Sequence, residues 1–181
     1  MRIVVCVKHV PDMQSERRFE GGRLVRGEDD VLNELDENAI EAAVQLKESE
    51  EDAGREAEVV ALTMGPEDAE DSLMRALQMG ADRAYIVSDE FLEGSDVITT
   101  ASVLSVAIAK IAQECGPVDL VLTGMASLDA MTSMLPAALA AKAHMPLLGL
   151  ARSLSVEGGV VTIERAVDGY TETVRAALPA V

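Results

Sequence analysis

Four short apolar runs constrain what this chain can fold into. Ile3-Val4-Val5-Cys6-Val7, Val59-Val60-Ala61-Leu62, Ala84-Tyr85-Ile86-Val87 and Val118 to Leu122 are continuously apolar or nearly so. A strand with one wet face alternates apolar and polar residues, whereas a continuous run marks a strand covered on both faces, as in a parallel sheet between helices. Helical patterns fall between the runs. Asn33, with Asp36 and Glu37 behind it, starts a helix that carries Ile40, Ala43, Val44 and Leu46 toward one side. Pro66 suits the first turn of a second helix bearing Leu73, Met74, Ala76 and Leu77 and stopping at Gly80. Ser95 or Asp96 can cap a third, Val97 to Cys115, ended by Gly116-Pro117, and a fourth is expected to begin after Asp129. Strand and helix in alternation with short connections predict an α/β fold. Its sheet is doubly wound, mostly parallel and open, with helices on both faces.

Two segments break the alternation, and each carries Glu-Gly-Gly: Arg17 to Val25 and Leu154 to Ile163. Paired glycines between β-rich arms indicate hairpins. The second continues through Val167, turns at Asp168-Gly169 and runs from Thr171 to Ala177, so antiparallel hairpin additions are expected beside the parallel sheet. With 181 residues, of which 49% are hydrophobic, the chain is long enough for one core, and residues 1–181 are read as one domain.

Fifteen Lys and Arg against 32 Asp and Glu give a formal charge of −17, which repels phosphate backbones and anionic lipid, so no nucleic-acid partner is expected. Cys6 and Cys115 do not form a disulfide framework, the apolar start is too short for a signal peptide, and no run approaches membrane-spanning length. A cytoplasmic protein without membrane insertion is the expectation. Aromatic residues make up 2%, so backbone and small side chains must do any ligand binding.

The usual catalytic signatures are absent. There is no P-loop, no G-x-G-x-x-G after the first strand and no G-x-S-x-G. His9 and His144 lack metal-ligand spacing and are expected in loops or at the surface, so no metal site and no catalytic residue is assigned. What remains is the crevice at the carboxyl ends of the strands, where open α/β sheets bind ligands. Three segments end there: Cys6 to Asp12, Thr63 to Pro66, and Thr123-Gly124 through Leu135. Gly65 and Gly124 allow a close backbone approach, and Asn33 offers an amide. The turn within Leu120 to Ala140 is a candidate anion seat, because the first amides of a helix point outward unpaired.

Several stretches together resemble the β subunit of electron transfer flavoprotein. They are Val7-Lys8-His9-Val10-Pro11-Asp12, "NELDENAIEAA" from Asn33, "GPEDAEDSLMRALQMGADRAYIV" from Gly65, "DLVLTGMASLDA" from Asp119, Glu164-Arg165 and "LPAV" from Leu178. The similarity is collinear over nearly the whole chain. It implies a non-catalytic adenine-nucleotide-binding domain that holds a structural AMP. A partner α subunit would carry most of the FAD, and the heterodimer would collect electrons from flavin dehydrogenases. Position by position, the resemblance places AMP against Cys6, Val7 and Lys8, against Asn33, and against Met64 and Gly65. It adds Thr123 and Gly124, and the loop residues Ser127, Asp129, Thr132, Ser133, Met134 and Leu135. Met13 would fall near the partner's flavin.

Two departures stand out. In the family, the loop after the fourth strand is usually polar or glycine-rich, whereas here Met131 and Met134 replace small or polar residues, leaving Ser127, Asp129, Thr132 and Ser133 with polar side chains. Members also continue past L-P-A-V into a docking loop and an arm that wraps the α subunit; the sequence ends at Val181, and both are expected to be missing. Three other readings stay open. One is a bifurcating-type subunit with FAD in place of AMP that oxidises NADH. Another is a stand-alone nucleotide module resembling universal stress proteins, and the last is a degenerate module whose nucleotide site is empty.

Overall fold

The computed structural model describes residues 1–181. In chain order the elements are β1 (Arg2–Cys6), β2 (His9–Pro11), β3 (Phe19–Glu20), β4 (Arg23–Leu24), β5 (Asp30–Leu32), α1 (Glu34–Asp52), β6 (Glu58–Met64), α2 (Glu70–Gln78) and β7 (Arg83–Val87). They continue with α3 (Val97–Cys115), β8 (Leu120–Thr123), α4 (Leu135–Ala143), β9 (Ser153–Glu157), β10 (Val160–Val167) and β11 (Tyr170–Ala177). The four apolar runs are β1, β6, β7 and β8. They form one parallel sheet in the order β7-β6-β1-β8, with Val4 opposite Val60 and Val121.

Both faces of this sheet are covered, which is why its strands carry no polar alternation. Ile3, Val5, Val59 and Ala61 point into one core with Ile40 and Ala43 of α1 and Leu73 and Ala76 of α2. Val4, Cys6, Val60 and Leu62 point into a second core with Leu104 and Ile108 of α3 and Leu139 and Ala140 of α4. The antiparallel additions are present. β9, β10 and β11 form a three-stranded sheet, and Val161 and Ile163 bury their side chains in the first core. Gly158 and Gly159 both have positive φ, 58° and 75°, the backbone that a two-residue turn needs to match strand twist. β3 and β4 pair around Gly21-Gly22 as a small exposed hairpin. A pairing not anticipated joins β2 to β5, with His9 opposite Leu32. Ala180 adds a parallel bridge to Leu120 at the outer edge of β8.

Several sequence expectations are corrected. Helix α4 starts at Leu135 rather than just after Asp129. Met131 and Ser133 hold left-handed φ values of 53° and 52°, which interrupts winding until Pro136, a residue without an N–H, fits the first turn. Pro66 leads not into α2 but into a 3₁₀ turn over Glu67–Ala69, and α2 begins at Glu70. His9 is buried rather than superficial, its Nδ1 2.8 Å from the Ser72 hydroxyl, while His144 caps the end of α4 in an exposed left-handed conformation. One run does reach membrane-spanning length: α3, with 19 residues, is long and apolar enough by length and composition to cross a membrane. Its inner face, Ala101, Leu104, Ile108 and Ile111, is buried in the second core, while Ile98 and Val106 stand exposed.

Candidate functional site

The carboxyl ends of β1, β6 and β8 lie side by side, since Cys6 stands opposite Leu62 on one side and Thr123 on the other. The ends of β1 and β8 are tied together by one side chain that the sequence reading placed only at a helix start. Asp36, in the first turn of α1, accepts the backbone N–H of Lys8 at 2.8 Å and that of Gly124 at 3.2 Å. Burial pushes its carboxyl up to about 7, opposed by hydrogen bonds from Asn33, Lys8 and Gly124. Gly124 exists for this contact. A Cβ there would stand 2.2 Å from Asp36 Oδ1 and 2.9 Å from the Leu35 carbonyl, so the space freed by the missing side chain is filled by the protein's own helix. Gly65 is similar, since its Cβ would meet that of Ala69 at 3.1 Å, and its N–H donates to Val87 at 3.1 Å.

Asn33 precedes α1 but makes no side-chain cap. Its fully buried amide instead reaches the loop after β8. It donates to the Ala126 carbonyl at 3.0 Å and accepts from the Leu128 N–H at 3.0 Å. The start of the loop is therefore fixed by α1, not by the strand that precedes it. Asp129 follows at once, with only 2% of its side chain exposed. Lys8 Nζ donates to both its oxygens at 3.0 and 2.9 Å, and to Ser127 Oγ at 3.3 Å. Arg26, arriving from the segment between β4 and β5, pairs with the same carboxylate and donates to the His9 carbonyl at 3.4 Å. Burial opposes ionisation of Asp129, but Lys8 and Arg26 overcome it and hold the carboxyl at about 2. Arg17 closes the same corner by donating to the Leu128 carbonyl at 3.1 Å.

Five candidates, Lys8, Asn33, Gly124, Ser127 and Asp129, thus converge on one corner. Val7 and Cys6 lie beneath it in the two cores, and burial, then Asp36, pushes the Cys6 thiol up to about 12, so it is no nucleophile. Thr123 and Met64 are half-buried at the strand ends. Beside Met64, the fully buried Thr63 hydroxyl has no hydrogen-bond partner. Thr132, Ser133 and Met134 are exposed and make no side-chain hydrogen bond, and Leu135 packs against the second core. The backbone N–H groups of Thr132 to Leu135 and of Ala137 have no hydrogen-bond partner in the chain, so the segment that follows Asp129 offers free amides. Met13 is 55% exposed in the turn after β2 and makes no side-chain hydrogen bond to this network. Asp36 and Arg26 are the residues that sequence reasoning missed. Asp36 looked like an ordinary first-turn acid, and nothing local to Arg26 signals a partner about a hundred positions away.

An open parallel sheet with helices on both faces and a polar corner at its strand ends is an α/β domain of the doubly wound kind, whose strand ends are where such folds place their sites. Comparison with known proteins is narrower: the electron transfer flavoprotein domain matches residues 22–181. Over 182 aligned residues the chain is 40% identical to the electron transfer flavoprotein subunit beta of Mycobacterium leprae, covering 99% of this chain and 67% of that protein. It is 37% identical to the subunit beta of Megasphaera elsdenii, over 96% of this chain and 64% of the other. The caffeyl-CoA reductase-Etf complex subunit CarD of Acetobacterium woodii is 34% identical over 99% and 66% respectively. The chain belongs to the electron transfer flavoprotein family, on the side of its β subunits, and spans about two thirds of the length of these relatives.

Proposed function

We propose that this chain is the β-side subunit of a two-subunit electron carrier. In this reading an adenine nucleotide, AMP, sits at the corner between β1, β8 and α4, and the subunit helps enclose an FAD held by an α subunit. The observation that carries the reading is the corner itself. Lys8 and Arg26 meet over the nearly inaccessible Asp129, and the loop goes on from there into a row of amides with no partner, in a chain of charge −17 where cations are scarce. A phosphate is the group that such donors fit. Met131 and Met134 do not remove that fit, because the donors here are main-chain N–H groups and not the side chains that vary. The carrier accepts electrons from flavin dehydrogenases, and the exposed Met13 lies toward the partner's flavin.

FAD brings the redox chemistry to such a carrier; the residues of this chain bind, orient and exclude water. Asp36 and Asn33 set the position of the loop, Lys8 and Arg26 neutralise the Asp129 carboxylate, and the two packed cores keep the strand ends rigid. Heat-denaturing the purified chain and analysing the supernatant by mass spectrometry and absorbance is the direct test. Released AMP supports the reading, and co-expression with an α subunit then yields a stable yellow complex. Absence of any nucleotide, together with no complex, overturns it. The bifurcating alternative, with FAD at the same corner, draws on the likeness to the CarD subunit; flavin absorbance from this chain alone would favour it over AMP.

A further inference from the structure

The charge count at the corner does not close with Lys8 alone. Lys8 grips both oxygens of Asp129 and the hydroxyl of Ser127, which uses all three of its N–H donors. The Lys8–Asp129 pair is then neutral and has nothing left with which to hold a phosphate. Arg26 shares the Asp129 carboxylate, touches the His9 carbonyl, and keeps its remaining N–H groups free with 37% of its side chain exposed. Its guanidinium is fixed on two sides and open on the third. The segment that carries it is fastened across the sheet ends at two further points, Arg17 on the Leu128 carbonyl at 3.1 Å and Arg23 on Glu93 at 2.9 Å.

Building on the nucleotide reading above, we infer that Arg26 is the positioning residue that makes this corner accept a phosphate. Arg26 supplies positive charge at the Asp129 carboxylate beyond the one Lys8 cancels, and holds Asp129, and with it the loop that follows, in the orientation that faces the ligand. Arg rather than Lys suits the role, because a planar fork can hold a carbonyl and a carboxylate at once and still present a donor edge, whereas an ammonium is a point charge. The corner is thereby completed by a strap far from the strand ends in sequence, and its affinity for phosphate depends on that strap being docked.

The test compares the full chain with Arg26→Ala, Arg26→Gln and Arg26→Lys by calorimetric titration with AMP, adenosine and inorganic phosphate at low and high salt, alongside thermal unfolding. AMP affinity is expected to fall about tenfold in Arg26→Ala and Arg26→Gln. Adenosine affinity should stay within about twofold, and Arg26→Lys should recover part of the loss. The gap between wild type and Arg26→Ala should narrow as salt rises. Equal AMP affinity in wild type and both neutral variants overturns the inference and leaves the nucleotide reading standing. Equal losses for AMP and adenosine reduce Arg26 to a structural prop and overturn it as well. Arg26-dependent binding of inorganic phosphate without binding of AMP keeps the inference and sinks the nucleotide reading. A wild-type chain that binds none of the three overturns both.

Discussion

The two ends of the parallel sheet use the same device in different surroundings. At the carboxyl end Asp36 caps the N–H groups of Lys8 and Gly124; at the amino end Asp119 takes the N–H of Arg2 at 2.7 Å and Asp82 that of Val59 at 2.8 Å. Each end adds an ion-pair cluster. Lys8 and Arg26 share Asp129 at one end, and Arg2 and Arg83 share Glu58 at the other. What separates them is water. Asp36 is buried and Asp129 shows 2% of its side chain, whereas Glu58 shows 19% and Asp82 34%. Charges at the amino end trade solvation for pairing at little net gain, so that cluster serves as a soluble rim. At the carboxyl end the carboxylate is committed: Asp129 has lost its water and needs its cations, while Lys8 and Arg26 keep 39% and 37% of their side chains exposed. A site can be built only from the second kind.

The comparison is broken most severely by filling the gap between β8 and α1. Gly124→Ala drives a methyl group into Asp36 and the Leu35 carbonyl, and unfolding in urea should show a loss of about 3 kcal/mol. Asn33→Ala leaves the Ala126 carbonyl and the Leu128 N–H without their buried partner. A loss of about 2 kcal/mol is expected, with faster amide exchange in residues 126–129.

The two carboxylates at this end should also give pH slopes of opposite sign. Asp36 titrates near 7 in the folded chain and near the ordinary carboxylate value, about 4, when unfolded. Between those values the folded form binds more protons, so its contribution lowers stability as pH rises through that window and levels off above it. Asp129, held at about 2, contributes stability above about 4 that is lost as pH falls toward 2. Urea midpoints from pH 2 to 8 should lose the upper slope in Asp36→Asn and the lower one in Asp129→Asn. If either variant kept its slope, the assignment would be wrong. At the amino end Glu58→Gln should cost under about 1 kcal/mol and less still in high salt. A larger effect there would erase the contrast between the two ends.

Much of the fold is legible in the chain because its signals are local. Continuous apolar runs could only be doubly covered strands, Asp96 does accept the Thr99 N–H at 2.7 Å to cap α3, and Gly158-Gly159 could only be a tight turn. The start of α4 was not legible. The propensities of residues 129–134 allow a helix, and what prevents it is the left-handed backbone of Met131 and Ser133, held in the folded chain. Most of the candidate corner was legible through the crevice rule and the family resemblance, namely Lys8, Asn33, Gly124, Ser127 and Asp129. The glycine was recognised for a close approach, but the group that approaches it is Asp36 from α1.

By itself the sequence determined the alternation of strand and helix, the two hairpin turns and the net charge of −17. Periodicity, turn geometry and net charge are properties of neighbours along the chain or of the chain as a sum. Only the tertiary structure decided which polar groups meet. Asn33 was drawn from capping into holding a loop 93 residues away, Asp36 into joining two strands, and Arg26 into sharing Asp129. Those choices depend on which side chains lose water together when α1 and the strap close over the strand ends, and burial of that kind has no local signature.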